Sequence, residues 1–189
     1  GIGTAALGRI ARPLKGEETE LGIRVIPIFH QPAAFYAHRS VKVKSLSTEQ
    51  LAKIFSGEIK NWRDVGGDDL RIRVVRREEV DSTLAIFRKT LPGWKNLQFD
   101  LNRSKMAVST QESFDSVETT IGAIGFGPYT SNLESDFTVF RVNGISPTAP
   151  NYPSLMTLSL TYRDENVTKT AFRFLDFLFT PRGERAIRA

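Results

Sequence analysis

Residues 77–83, which read R-E-E-V-D-S-T, gather the groups in this chain that best suit binding of a small anion. Arg77 offers a charged fork of N–H donors, and Ser82 and Thr83 offer hydroxyl groups. A predicted helix begins at Asp81, and the N–H groups of a first helical turn attract anions. The spacing therefore predicts an anion site where this loop enters the helix.

Asp81 allows two interpretations. Aspartate is a favoured residue at the N-cap of a helix, where its carboxylate accepts a hydrogen bond from the backbone. As a ligand contact, the same carboxylate would repel a fully ionised anion but accept a hydrogen bond from a protonated one. Capping is the favoured interpretation, and the ligand contact stays open. Arg77 likewise either contacts the ligand or pairs with a nearby carboxylate such as Glu78 or Glu79.

Other arrangements of reactive residues are weak. Glu78 and Glu79 are adjacent, so their side chains point apart on an extended loop, which disfavours an acid–base pair. His30 and His38 are too far apart in the sequence to form a recognisable metal-binding pair. The chain has no cysteine and no G-x-S-x-G, Walker or H-E-x-x-H motif. We therefore expect a protein that is not an enzyme and that uses no metal and no cofactor.

The composition narrows the class of partner. The chain has 189 residues, and its 26 basic and 21 acidic residues give a net charge of +5. A nucleic-acid surface would carry aromatic residues between the arginines of the basic stretch 71–77, but isoleucine and valine stand there, so we expect no nucleic-acid partner. The apolar runs are too short to span a bilayer, so membrane contact would be peripheral at most. The N-terminal sequence GIGTAALGRIARPLK shows no signal-peptide pattern, which fits a trimmed exported protein and a cytoplasmic one equally.

Caps and apolar spacing predict the elements around the loop. Ser47-Thr-Glu-Gln50 is a capping box that opens a helix ending at Gly57. A strand is predicted over residues 70–75, and a helix follows over residues 81–91, where Pro92 ends it. Strand and helix thus place the loop between them.

The remaining segments continue the alternation. Further strands are predicted over residues 23–29, 33–37, 121–126, 137–142 and 155–162, with Gln31-Pro32 separating the first two. Ser109 and Glu112 form a second capping box. A C-terminal helix is predicted over residues 166–179, with these side chains turned inward: Ala171, Phe172, Phe174, Leu175 and Leu178. The alternation predicts an α/β fold.

Several segments in order resemble one family. Residues 46–62 look like its L-T-x-x-Q-L-x-x-I-F-x-G-x-I-x-x-W segment, and residues 122–126 look like its G-A-I-G-Y strand. Residues 12–15 look like the family's segment that closes the half-site of the first lobe, and residues 151–153 and 172–183 resemble its Y-P and F-x-x-F-L-x-x-x-x-G segments. The chain therefore resembles the phosphate-binding subunits of ABC importers, in the type II periplasmic-binding-protein superfamily.

Two departures stand out. The family's loop reads R-x-x-G-S-G-T, so here Asp81 stands where the family has a ligand-binding serine, and Ser82 stands where it has a glycine. The family also has a strand, a helix and a second strand at the N-terminus, of which only residues 1–7 could represent the end. We therefore expect a first lobe whose N-terminal elements are missing.

The resemblance implies a two-lobed fold with ligand between the lobes. Lobe 1 would comprise residues 1–37 and 127–189, and lobe 2 residues 38–126. The implied function is an extracytoplasmic solute-binding protein, periplasmic or extracellular and with or without a lipid anchor, that delivers phosphate or a related oxyanion to an ABC permease. The implied ligand-binding residues are Arg77, Asp81, Ser82, Thr83 and Arg12. The alternative is a sensory or interaction module on the same fold that has lost anion transport.

Overall fold

The computed structural model describes residues 5–188 and shows alternating strands and helices. The strands are β1 (Gly8–Ile10), β2 (Arg24–Ala37), β3 (Ser45–Leu46), β4 (Arg73–Arg77), β5 (Ser104–Ala107), β6 (Ala123–Pro128), β7 (Thr138–Val139), β8 (Arg141–Val142) and β9 (Leu155–Tyr162). The helices are α1 (Gly16–Glu20), α2 (Thr48–Phe55), α3 (Ser82–Thr90), α4 (Thr110–Glu118), α5 (Leu133–Asp136), α6 (Lys169–Leu178) and α7 (Pro181–Arg188), with a short 3₁₀ turn at Trp62–Val65. The predicted α/β class is confirmed.

The described residues divide into two compact units. One comprises residues 5–31 and 157–188, and the other comprises residues 32–156. The predicted lobes divide the chain elsewhere, at 37/38 and 126/127, and that assignment stays a prediction. Of the segment 1–7 that was assigned to the first lobe, residues 1–4 lie outside the described part of the chain.

The larger unit is built on a mixed sheet. Its strands follow the order β2-β6-β4-β5, in which β6, β4 and β5 are parallel and β2 is antiparallel to β6. Parallel strands are usually covered on both faces, and two buried clusters here meet that requirement. Phe35 stands in the larger cluster, where its ring stacks on Phe87 at 4.2 Å between centroids and lies 5.2 Å from Trp94. The rings fix the position of α3, which carries Phe87, against the sheet.

The start of α2 forms as the sequence predicts. Ser47 Oγ accepts a hydrogen bond from the backbone N–H of Gln50 at 3.0 Å, and Gln50 Oε1 accepts one from the N–H of Ser47 at 2.8 Å. The helix ends at Phe55, and Gly57 follows with a φ of +81°, a conformation that glycine adopts without strain. The capping box and the glycine therefore set both ends of this helix.

Several strand predictions were wrong in their bounds, and the strand predicted over residues 137–142 is divided into β7 and β8, which pair with β2 and β3. The segments predicted as two strands around Gln31-Pro32 form the single strand β2. Pro32 fits because its carbonyl accepts from Tyr129 N–H at 2.8 Å, and the next donor, Ala33 N–H, bonds to Ser154 O at 2.8 Å. The strand predicted over residues 70–75 instead runs from Arg73 to Arg77, because its parallel partner β5 pairs with residues 74–77.

The smaller unit contains β1, β9, the first part of β2 and the C-terminal helices. In α6, Ala171, Leu175 and Leu178 are buried as predicted. The inward placement of Phe172 and Phe174 was wrong, because these side chains are 44% and 46% exposed. Both flank the buried stripe, since consecutive positions on a helix are turned by about 100°. Among residues 5–188, no helix is long and apolar enough to cross a membrane.

Candidate functional site

The predicted anion loop lies at the carboxyl end of β4, in the larger unit. Strand β4 ends at Arg77, and α3 begins at Ser82 after a short loop. In open α/β sheets, ligands bind at the carboxyl ends of parallel strands, where the loops into the helices gather. Here β4 has parallel neighbours on both sides, β5 and β6. The topology therefore places residues 77–83 where such a fold ordinarily holds a ligand.

Arg77 is buried and held side-on by a carboxylate. Its Nε and Nη2 atoms donate to Oδ2 of Asp81 at 3.1 and 2.9 Å, and its Nη1 atom donates to the carbonyl of Ala107 at 3.3 Å. Both charged side chains are only 10% exposed. A guanidinium has five N–H donors, so these three bonds leave two without a partner among the described residues. Use of these two donors by a bound anion stays a prediction.

Asp81 caps α3 with its other oxygen. Its Oδ1 atom accepts a hydrogen bond from the backbone N–H of Leu84 at 3.0 Å. The N-cap interpretation of Asp81 is confirmed. The alternative in which Arg77 pairs with a carboxylate is also confirmed, but the partner is Asp81, whereas Glu79 pairs with Arg88 at 2.9 Å. Asp81 thus fixes the arginine to the beginning of the helix.

Ser82 and Thr83 form the first turn of α3. The N–H groups of a first turn have no carbonyl of a preceding turn to bind, so they can donate to a ligand. Ser82 is half-buried, whereas Thr83 is only 2% exposed. Ser82 is therefore the more accessible of the two hydroxyl groups. Contact of either residue with a ligand stays a prediction.

Tyr36 and Ser113 form a buried polar pair that was not predicted as part of the site. Tyr36 Oη lies 2.7 Å from Ser113 Oγ and also donates to the carbonyl of Phe126 at 3.3 Å. Burial raises the pKa of Tyr36, and the charges of Arg77 and Asp81 act on that pKa in opposite directions. The tyrosine therefore stays neutral in the neighbourhood of the ion pair. The sequence did predict the beginning of α4, where Ser109 Oγ accepts from Glu112 N–H at 3.1 Å. The side chain of Glu112 accepts from Val108 N–H, however, so the predicted capping box is not reciprocal.

Arg12 belongs to the smaller unit. Its Nη1 and Nη2 atoms donate to the two carboxylate oxygens of Glu18, each at 2.7 Å. This two-point pairing and the backbone N–H of Lys15 lower the pKa of Glu18 from 4.5 to about 2. The predicted site residues therefore fall into two sets: four lie together between β4 and α3, and Arg12 lies on a loop of its own unit. Its contact with a ligand stays a prediction.

The described residues contain no group of three or more histidine, aspartate or glutamate side chains that could hold a metal ion. The loop of residues 77–83 offers hydrogen-bond donors and one positive charge, that of Arg77, which Asp81 compensates. Such donors are chemically suited to the oxygens of an oxyanion.

Known proteins resemble the chain over nearly its whole length. The profile of the PBP superfamily domain matches residues 2–182. The phosphate-binding protein PstS of Borreliella burgdorferi is 26% identical over 191 residues, which cover 92% of this chain and 67% of that protein. PstS of Bacillus subtilis is 32% identical over 155 residues, which cover 77% of this chain and 48% of that protein.

A solved structure supports the same relationship. The X-ray structure of a protein assigned as a phosphate ABC transporter substrate-binding protein, with bound phosphate, from Clostridium perfringens superposes with a TM-score of 0.87. The two sequences are 28% identical, and the match covers 97% of this chain and 76% of that one. The chain thus spans between about half and three quarters of the length of these relatives. The match of one profile to residues 2–182 shows that the chain belongs to the PBP superfamily.

Proposed function

We propose that this chain binds phosphate or a related tetrahedral oxyanion at residues 77–83, as the solute-binding component of an ABC importer. The observation that carries the proposal is the buried Arg77, which keeps two N–H donors beside the first turn of α3. The names of the relatives, which are phosphate-binding proteins, support the choice of ligand. The donor set points to a binding protein and not to an enzyme.

The binding chemistry follows from these donors. The two remaining N–H groups of Arg77 would bond to oxygens of the anion, and the first-turn N–H groups of Ser82 and Thr83 would bond to others. Because these donors lie in a buried, low-dielectric region, each bond would be stronger than in water. Asp81 already compensates the charge of Arg77, so the site would accept a partly protonated anion more readily than a fully ionised one.

The wider role follows from the family relationship. As a member of an importer, the chain would work outside the cytoplasm and present the bound anion to a membrane permease. Binding of the ligand by Arg12 is also part of this proposal. Because Arg12 pairs with Glu18, its positive charge is already compensated by a carboxylate before the ligand binds.

Calorimetry with matched arginine variants tests the proposed site. We expect the Arg77→Ala variant to lose about 1.5–3 kcal/mol of phosphate-binding free energy, the value of hydrogen bonds to a charged group. Arg76→Ala is the control, because Arg76 lies on the same strand but faces the other side and bonds to Ser104 Oγ at 3.2 Å. It should bind phosphate like the unmodified chain.

Two results would contradict the proposal. One is equal loss of phosphate binding in both arginine variants, which would place the site elsewhere. The other is absence of binding to phosphate, sulfate and related oxyanions by the folded, unmodified chain. Since Arg77 is paired with Asp81, that second result would favour the alternative of a sensory or interaction module.

A further inference from the structure

A concave site lies within the larger unit, at the end of the parallel strands opposite to the anion loop. A cavity of about 440 Å³ opens where β4 and β5 begin. Its lining combines apolar residues with these charged ones: Lys60, Arg71, Arg73, Arg103, Lys105 and Asp100. The size lies in the range of small-molecule sites. Arg73, which lines the cavity and opens β4, lies roughly 13 Å along the strand from Arg77, which ends β4.

Most of the cationic side chains of this cavity have no ion-pair partner in the described part of the chain. Five cationic side chains face one carboxylate, that of Asp100. That carboxylate is already engaged, because its Oδ1 atom accepts from the N–H of Asn102 at 3.1 Å and its Oδ2 atom lies 3.7 Å from Nε of Arg103. Among the described residues, none of the ion pairs involves Lys60, Arg71, Arg73 or Lys105.

Local structure brings these cations together. Lys60 follows the turn that ends α2, and Arg71 forms an isolated bridge with Asn61. Lys105 lies opposite Val75 in the register of β4 and β5, two positions along the strand from Arg73. All the cationic side chains are exposed, whereas the apolar floor, including Ile72 and Ile54, is buried. A concave surface of one charge over a low-dielectric floor concentrates its field and attracts anions.

The number and spacing of the cations indicate the kind of anion. One orthophosphate group would engage two or three of the five side chains and leave the others uncompensated. A nucleic acid would need exposed aromatic rings for its bases to stack on, and the aromatic residue of the lining, Phe55, is fully buried. A linear chain of linked phosphate groups carries several charges along its length and needs no stacking surface. We propose that this cavity binds short polyphosphate chains, independently of the anion loop.

The proposal is tested with tripolyphosphate and the full chain. Calorimetry is done with excess orthophosphate, which occupies the anion loop. The double variant R73Q/K105Q removes two charges from the cavity, and K89Q/K95Q removes two from exposed lysines of the same unit that do not line it. We expect the cavity variant to bind tripolyphosphate about tenfold more weakly, since hydrogen bonds to charged groups are lost. The control should change affinity by about twofold at most, as expected for distant exposed charges.

The Arg77→Ala variant separates this proposal from the proposed function. It should keep tripolyphosphate affinity while orthophosphate affinity falls, and the salt dependence of tripolyphosphate binding should become shallower only in the cavity variant. If Arg77→Ala weakens tripolyphosphate binding as much as R73Q/K105Q does, both anions use one site and the inference is overturned. Equal losses in R73Q/K105Q and K89Q/K95Q, or no measurable tripolyphosphate binding by the unmodified chain, would overturn it as well.

Discussion

At the scale of single residues, Asp81 both caps helix α3 and pairs with Arg77, the residue expected to bind the ligand. One of its oxygens accepts from Leu84 N–H and the other accepts from Arg77. Its capping role could be predicted from the sequence, because aspartate before an apolar helical pattern is a strong local signal. The sequence could not predict that Arg77 pairs with Asp81 and not with Glu78 or Glu79, because this pairing depends on how the loop turns back onto β4.

This arrangement predicts an unusual response of the Asp81→Asn variant to phosphate. Asparagine caps a helix as well as aspartate does, but its amide would face the donors of Arg77 with a donor of its own. We expect a loss of about 1–3 kcal/mol in unfolding free energy, the cost of leaving buried donors unsatisfied. Phosphate would then replace the lost carboxylate, so added phosphate should raise the midpoint of denaturant unfolding more in the variant than in the unmodified chain. Equal phosphate shifts in both proteins would show that Asp81 does not compete with the ligand.

The pair of Arg12 and Glu18 gives a prediction about pH. The pKa of Glu18 is lowered to about 2 by Arg12 and by the N–H of Lys15. A carboxylate with a lowered pKa stabilises the folded state above its unfolded pKa, and that stability is lost as pH falls from about 4.5 towards 2. In Arg12→Gln, NMR titration should find the Glu18 pKa higher and closer to 4.5. A pKa that stays near 2 in this variant would contradict Arg12 as the main cause.

At the scale of elements, the sequence predicted the helix ends that depend on interactions between neighbouring residues. Caps and glycines gave the ends of α2 and the beginning of α4, because caps involve neighbours in the sequence. The bounds of β2 and β4 were missed, because they depend on partners far along the chain, such as Ser154 and β5. Phe172 and Phe174 show the same limit, since apolar spacing alone does not say how wide a face the neighbouring elements cover.

Helix α6 contains neighbouring buried and exposed apolar residues, so paired substitutions can test how wide its buried face is. Leu175 is buried, and Phe174 beside it is 46% exposed. We expect Leu175→Ala to lower the unfolding free energy by about 2–5 kcal/mol, because it removes buried methyl groups and leaves a cavity. Phe174→Ala should cost clearly less, because much of its ring already lies in solvent. Denaturant unfolding of both variants measures the difference, and a larger cost for Phe174→Ala would mean that its ring is covered in the protein in solution.

At the scale of the whole molecule, the family and the α/β class could be predicted from the sequence, whereas the contacts that hold each compact unit together could not. In the unit of residues 32–156, the hydroxyl of Tyr152 donates to Ala33 O at 2.8 Å, and β7 pairs with β2. These contacts join segments that are far apart in the sequence, so no local sequence pattern predicts them. The predicted lobes, with boundaries at 37/38 and 126/127, stay a prediction.

The cationic cavity likewise depends on residues from separate segments, which a local sequence pattern does not bring together. The sequence identified a basic stretch at residues 71–77, for which we expected no nucleic-acid partner. Folding adds Lys60, Arg103 and Lys105 from separate segments to the first part of that stretch. The strand also separates its two ends, so Arg77 enters the anion loop while Arg73 lines the cavity.

We propose that the loop between β4 and α3 holds a phosphate ion, and NMR titration of the isotope-labelled chain tests this proposal most directly. Orthophosphate is added while the backbone N–H signals and the Nε–H signals of the arginines are followed. We expect the largest changes at the N–H groups of Ser82 and Thr83 and at Nε of Arg77, with little change at Lys89 near the end of the same helix. Saturable binding that leaves the signals of Ser82, Thr83 and Arg77 unchanged, or no binding by the folded chain, would contradict the proposal.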